Sequence, residues 1–424
     1  MDTPYFGTRS RYDNSIFEEH NLRNGISVYC QRPQLLTDDE GILIAFLPLI
    51  GSCVERQNEQ GIVHFMEHVF MDSLNGKSLA RELWNMAGQF SAYVTKTEMV
   101  LGITAPKSGF NRCAEALSRL LREPEIDTKS VKLTSDVIIR EYERYFSSGG
   151  FHLSRAWDCE LFGQGHPIGH PVIGKPEIIR DITAERLRDF YLRFCHTGNI
   201  RLICGGAFSE LDIEKVQETL DDCFRDIRCG KPVNINITGP IRKPGENITI
   251  FDPNFARDSV IVSWFDDGGI EDHDDDAQWF LADSLAGDMF SPLIESLRVG
   301  RGLTYEVGLC EVIQNSHYWT FSLVVHTPRS HFDEVTETFY KVLKELDPKR
   351  LYERQCRRQM VRQCKYSDAV KTCRRLPDVF TIDEKLKTHH YWESIADELT
   401  VERVFRWRNY LLSHEPVTVK AITG

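Results

Sequence analysis

At 424 residues the chain is too long for one ordinary core, so two domains of about 200 residues each are expected. Hydrophobic residues at 41% and charged residues at 27% are a globular composition and exclude a disordered or fibrous chain. The formal net charge of -12 repels phosphate backbones and argues against nucleic acid as a partner.

In chain order, the opening stretch MDTPYFGTRSRYDNS has no apolar segment and does not read as a secretory signal. Strands are expected over 26–31 and 42–49, then helices over 61–71 and 77–87. A strand pair follows at 89–95 and 99–104, and helices recur over 110–121, 128–146 and 184–194. A strand at 200–205 and a helix at 211–224 close the first half. From 229 to 250 the texture changes to CGKPVNINITGPIRKPGENITI, whose prolines and glycines read as a linker.

After it the opening pattern returns. A strand at 260–265 runs into Asp266-Asp267-Gly268-Gly269, and a helix follows at 275–286. Another helix runs to Leu297, with strands at 305–312 and 318–325 and a helix at 332–346. This reads as a diverged internal duplication: an α+β chain of two similar helix-on-sheet domains, 1–228 and 251–424, joined by the linker 229–250. The acidic run 271–276 suits a helix start, where the dipole favours negative charge, and lacks the spacing of a calcium loop. Arg357-Arg358 and Arg374-Arg375 read as exposed helix faces. No apolar run reaches the ~18 residues of a membrane helix. The 12 cysteines include no Cys-x-x-Cys pair, which points to a reduced, cytoplasmic setting.

The chemistry concentrates in GIVHFMEHVFM, 61–71. This is apolar all round, as in a buried helix, except at His64, Glu67 and His68. At about 100° per residue those three share one sector of the helix. Burying them unpaired costs on the order of several kcal/mol, which a metal ion offsets. His64 and His68 stand one turn apart and can bind one zinc. Glu67, placed slightly aside, can take a proton from a water that the metal acidifies. A third ligand is then needed. On the helix 131–146, Leu133, Val137, Glu141 and Tyr145 recur every fourth residue, so Glu141 is the one acid of an apolar stripe and the preferred ligand. Glu143, beside Ile139 and Phe146, is the alternative.

H-x-x-E-H is the inverted zincin signature, and the surrounding text resembles the pitrilysin-type zinc peptidases. The resemblance is closest to the short-chain branch with the mitochondrial processing peptidase and its bacterial relatives. It extends over RNGISV at 23–28, HFMEHVFM, GQFSAY at 88–93, IIRE at 138–141, HPIGHPVIGKPEIIRDITAERLRDFY at 166–191 and LRVGRGLTY at 297–305. The resemblance implies half of a clamshell chamber with one zinc per chain, held by His64, His68 and Glu141, and Glu67 as the general base. It implies that Ser91, Ala92 and Tyr93 lie on an edge strand that pairs with the substrate backbone. Arg298 and Tyr305 would hold the substrate carbonyl. It also implies a dimer, with an identical or a homologous subunit, that cleaves short or unfolded peptides, a peptide precursor among them. Three positions depart from the family pattern: Thr134 where a second acid is usual, Ser91 for asparagine, and no proline before Asn199. A non-catalytic subunit of the same fold is the main alternative, and a zinc hydrolase of non-peptide amides a second.

Overall fold

The computed structural model describes residues 17–32, 40–72, 74–122, 124–234, 239–266, 275–311, 319–347, 349–351 and 400–424. The elements of the first half are β1 (Phe17–Asn21), β2 (Ser27–Gln31), β3 (Glu40–Pro48), α1 (Ile62–Asp72), α2 (Leu74–Asn85), β4 (Gln89–Val94), β5 (Glu98–Pro106), α3 (Phe110–Arg122), α4 (Thr128–Phe146), α5 (Gly149–Phe162), α6 (Pro176–Arg180), α7 (Ala184–Phe194), β6 (Arg201–Gly206) and α8 (Ile213–Phe224). Those of the second half are β7 (Asn247–Phe251), β8 (Ser259–Asp266), α9 (Asp275–Ala286), β9 (Val307–Glu311), β10 (Trp319–His326), α10 (Phe332–Lys344), α11 (Val401–Ser413) and β11 (Val417–Ile422).

The strands form two sheets, ordered β1-β2-β6-β3-β5-β4 and β7-β11-β8-β10-β9. Their topologies match. In the first, β2 runs parallel to β6, β6 antiparallel to β3, and β3 antiparallel to β5, which pairs antiparallel with β4. In the second, β7 runs parallel to β11, then β8, β10 and β9 follow antiparallel in the corresponding places. The chain is thus an α+β fold of two similar helix-on-sheet units.

β3 explains its own sequence. Leu43, Ala45 and Leu47 join the core under the helices, while Ile42, Ile44 and Phe46 are buried on the opposite face. A strand covered on both faces needs an unbroken apolar run rather than alternation. β4 is an edge strand, paired only with β5 among the described residues. Its burial alternates, with Phe90, Ala92 and Val94 against the core and Ser91 and Tyr93 exposed.

Helix α5 was not expected. Leu153, Trp157, Leu161 and Phe162 pack against Ile261, Val417, Val419 and Ala421, so a helix of the first half covers the second sheet. Each such buried side chain contributes about 1.5–3 kcal/mol, which ties the halves together. Other differences are local. β7 begins at Asn247, inside the stretch 229–250 expected as a linker. β9 begins at Val307, so Tyr305 precedes the strand. β1, α6, α11 and β11 were also not foreseen. The expectations for the first 15 residues, Asp267-Gly268-Gly269, most of the run 271–276, the strand ends at 312 and 318, and the arginine pairs at 357–358 and 374–375 lie outside the described residues.

Candidate metal centre

Helix α1 buries Ile62, Val63, Phe65, Met66, Val69 and Phe70. That leaves His64, Glu67 and His68 on the remaining face, with side chains 14%, 12% and 17% exposed. Helix α4 packs across α1. Asp127 starts it, accepting hydrogen bonds from the backbone N–H groups of Lys129 and Ser130. About four turns later α4 delivers Glu141. Its Oε2 lies 3.1 Å from His68 Nε2 and 3.7 Å from His64 Nε2. Glu67 Oε2 lies 3.8 Å from His64 Nε2 and 3.9 Å from His68 Nε2. The two imidazoles stand edge to face, 4.7 Å between centroids.

The apolar stripe expected around Glu141 needs correcting. Leu133, Val137 and Tyr145 are 58%, 41% and 43% exposed, and the buried residues of α4 are Val131, Thr134, Ser135 and Ile138. Glu141 therefore points to the histidines from the open side of the helix. Glu143 is exposed. Where the resemblance leads one to expect a supporting acid, Thr134 is buried, and the other oxygen of Glu141 faces Arg144 at 3.9 Å.

The environment tunes the four groups differently. Burial pushes the His64 imidazole down to about 4, aided by His68. Burial pushes Glu67 up to about 7. Burial also opposes charge on His68, but hydrogen bonds with Glu141 and Asp72 outweigh it and raise it to about 9. The hydrogen bond from His68 is the main cause that lowers Glu141.

Two imidazole nitrogens and two carboxylates converging within a few ångströms suit a zinc donor set. One atom each of His64, Glu67 and His68 lies within 4.8 Å of the others. Asp72 adds to the fit. Its Oδ2 is 3.1 Å from His68 Nδ1, so it can accept that N–H, and with a metal bound at Nε2 it would hold His68 in the ligating tautomer. Asp72 was missed in the sequence, although its place four residues after His68 was the available sign.

The edge strand with Ser91, Ala92 and Tyr93 lies against α1. Arg298 and Tyr305 lie elsewhere. Arg298 sits on a π-helical turn, Ile294–Val299, closed by the bond from Gly300 N to Glu295 O. Its guanidinium lies 4.3 Å from the centre of the Tyr305 ring and touches Met289 Sδ at 3.3 Å. Among the described residues, neither contacts the histidine cluster.

Two family descriptions match the sequence: "Insulinase (Peptidase family M16)" over residues 45–154 and "Peptidase M16 inactive domain" over 181–354. The chain belongs to the pitrilysin-type (M16) peptidase family.

It is similar to mitochondrial-processing peptidase subunit beta of Neurospora crassa, 25% identical over 286 residues. That match covers 63% of this chain and 56% of the relative, little more than half its length. An uncharacterized zinc protease of Rickettsia felis is 21% identical over 343 residues, covering 77% of this chain and 76% of that protein. A protease from Helicobacter pylori shares the fold, with a TM-score of 0.82 at 15% identity over 96% of this chain and 99% of that one. Pitrilysin matches with a TM-score of 0.72 at 14% identity, over 98% of this chain but 45% of its own. The M16 fold here is thus a half-clamshell.

Proposed function

We propose that this M16 chain is a zinc-dependent endopeptidase of short or unfolded peptides, a peptide precursor among them. His64, His68 and Glu141 would hold the zinc. The observation that carries the reading is the convergence of both Nε2 atoms on Glu141 Oε2, at 3.1 and 3.7 Å, with Glu67 alongside. Zinc held there supplies Lewis acidity, which acidifies a water and polarises a carbonyl. Glu67 takes the proton of the attacking water and passes it to the leaving amine. Asp72 keeps His68 in the tautomer that ligates. The outer edge of β4, at Ser91, Ala92 and Tyr93, accepts the substrate backbone as an added strand.

Arg298 and Tyr305 complete the site from a second subunit, an identical chain or a homologue. Three observations support this. The chain spans 45% of pitrilysin, so it supplies about half of such a chamber. The Neurospora relative is named as a subunit. Two apolar surfaces lie open, Leu133, Val137 and Tyr145 beside Glu141, and Met289, Phe290, Val299 and Tyr305 around Arg298. Exposed apolar patches of this kind mark association surfaces.

Mixing tests the reading. Glu67→Gln and Tyr305→Phe chains are combined under exchange conditions with a quenched, unstructured peptide. Shared sites predict internal cleavage above either parent, because some mixed dimers regain one intact site. No rescue contradicts the shared site. No cleavage by the wild-type chain, alone or with a partner, favours the non-catalytic alternative.

A further inference from the structure

The loop 166–174, from the stretch HPIGHPVIGKP, meets helix α1 and the β4–β5 hairpin in one buried junction. Glu55 lies at its centre with a side chain 0% exposed. Its Oε2 accepts from Gly61 N and its Oε1 from Val63 N, both at 2.9 Å, so one carboxylate clamps the first turn of α1. That is the positive end of the helix, where an anion is favoured. His170 Nε2 lies 2.9 Å from the same Oε2 and gives the buried carboxyl a third hydrogen-bond partner.

The same loop holds the hairpin that carries β4. Lys96, in the turn between β4 and β5, donates from Nζ to the carbonyl of Ile168 at 2.8 Å and to that of His170, and pairs with Asp158 of α5 at 3.0 Å. The backbone joins in. Ser52 N donates to Thr95 O at 3.1 Å and Cys53 N to Lys96 O at 2.8 Å. Two close approaches need glycine. A Cβ on Gly51 would lie 2.3 Å from the Lys96 carbonyl carbon, and one on Gly61, whose φ is +93°, would lie 2.9 Å from Gly174 Cα.

We propose that the loop 166–174 is the positioning element of the metal centre, holding α1 through His170 and Glu55, and β4 through Lys96. It fixes the histidine-bearing helix and the substrate-binding strand to one reference. Glu55, His170 and Lys96 touch neither metal nor substrate, so they are positioning residues. The inference rests on the zinc-peptidase reading above.

The two arms of the junction predict separable effects in the full-length protein. Glu55→Gln replaces one accepting oxygen by an amide nitrogen, and its zinc dissociation constant, measured by chelator competition without substrate, is expected to rise about tenfold or more. The double variant Lys96→Met/Asp158→Asn removes both charges, so neither is left buried alone. It is expected to bind zinc as the wild type does and to raise KM about tenfold with kcat unchanged. Should Glu55→Gln fail to fold, the His170 pair decides: His170→Gln keeps a donor to Glu55 and should hold zinc within about threefold of wild type, while His170→Leu should weaken it about tenfold. Zinc binding by Glu55→Gln or His170→Leu equal to wild type overturns the inference, as do parallel losses in zinc affinity and KM that track a fall in Tm. If the wild-type chain takes up no zinc, the zinc-peptidase reading fails instead.

Discussion

Glu67→Gln is expected to keep its zinc and to lose peptide hydrolysis by about a hundred- to ten-thousand-fold, the usual contribution of a general base. The substitution keeps the shape of the side chain and removes its ability to accept a proton. Glu67 lies 3.8 and 3.9 Å from the two Nε2 atoms, while Glu141 approaches His68 to 3.1 Å. On the proposed assignment Glu141, the carboxylate nearer His68, is the ligand, and Glu67 is left for proton transfer. Metal analysis and a peptide cleavage assay on the same preparation separate the roles. Loss of zinc would make Glu67 a ligand, and undiminished cleavage would remove it from the mechanism.

His64→Ala is expected to lower bound zinc from about one per chain to near zero, and activity with it. Two protein donors would remain where zinc sites have three or four. The fold should survive, because His64 lies on the polar face of α1 while Val63, Phe65 and Met66 carry its packing. Metal analysis beside circular dichroism checks both parts. Wild-type zinc content in a folded variant would show that His64 is not a ligand.

The cluster on α1 was legible because it breaks a simple rule. Three polar residues on one face of an otherwise apolar helix need a reason, and the spacing of His64 and His68 supplies one. The sequence signal at Glu141 is weaker. Its stripe looked like a core face, but Leu133, Val137 and Tyr145 are open to solvent. Periodicity shows which residues share a face, not what covers that face.

What was illegible depends on contacts distant in sequence. Helix α5 opens with Gly149-Gly150 after Ser148, a start whose glycines disfavour a helix, and its partners Val417 and Val419 lie far along the chain. The spacing of Leu153, Trp157 and Leu161 was a usable sign of it. β7 pairs with β11 across most of the second half, so proline and glycine around it suggested only a linker. Asp72 and Glu55 are ordinary surface residues by type, and only the folded chain shows what each one holds.

The most direct test of the zinc-peptidase account is a metal titration. Chelator-treated wild-type protein receives zinc in steps while cleavage of a quenched, unstructured peptide is followed. The account predicts activity that rises with zinc and levels off at about one equivalent per chain. Activity that is full without metal, or absent at every zinc level with a partner subunit supplied, would contradict it.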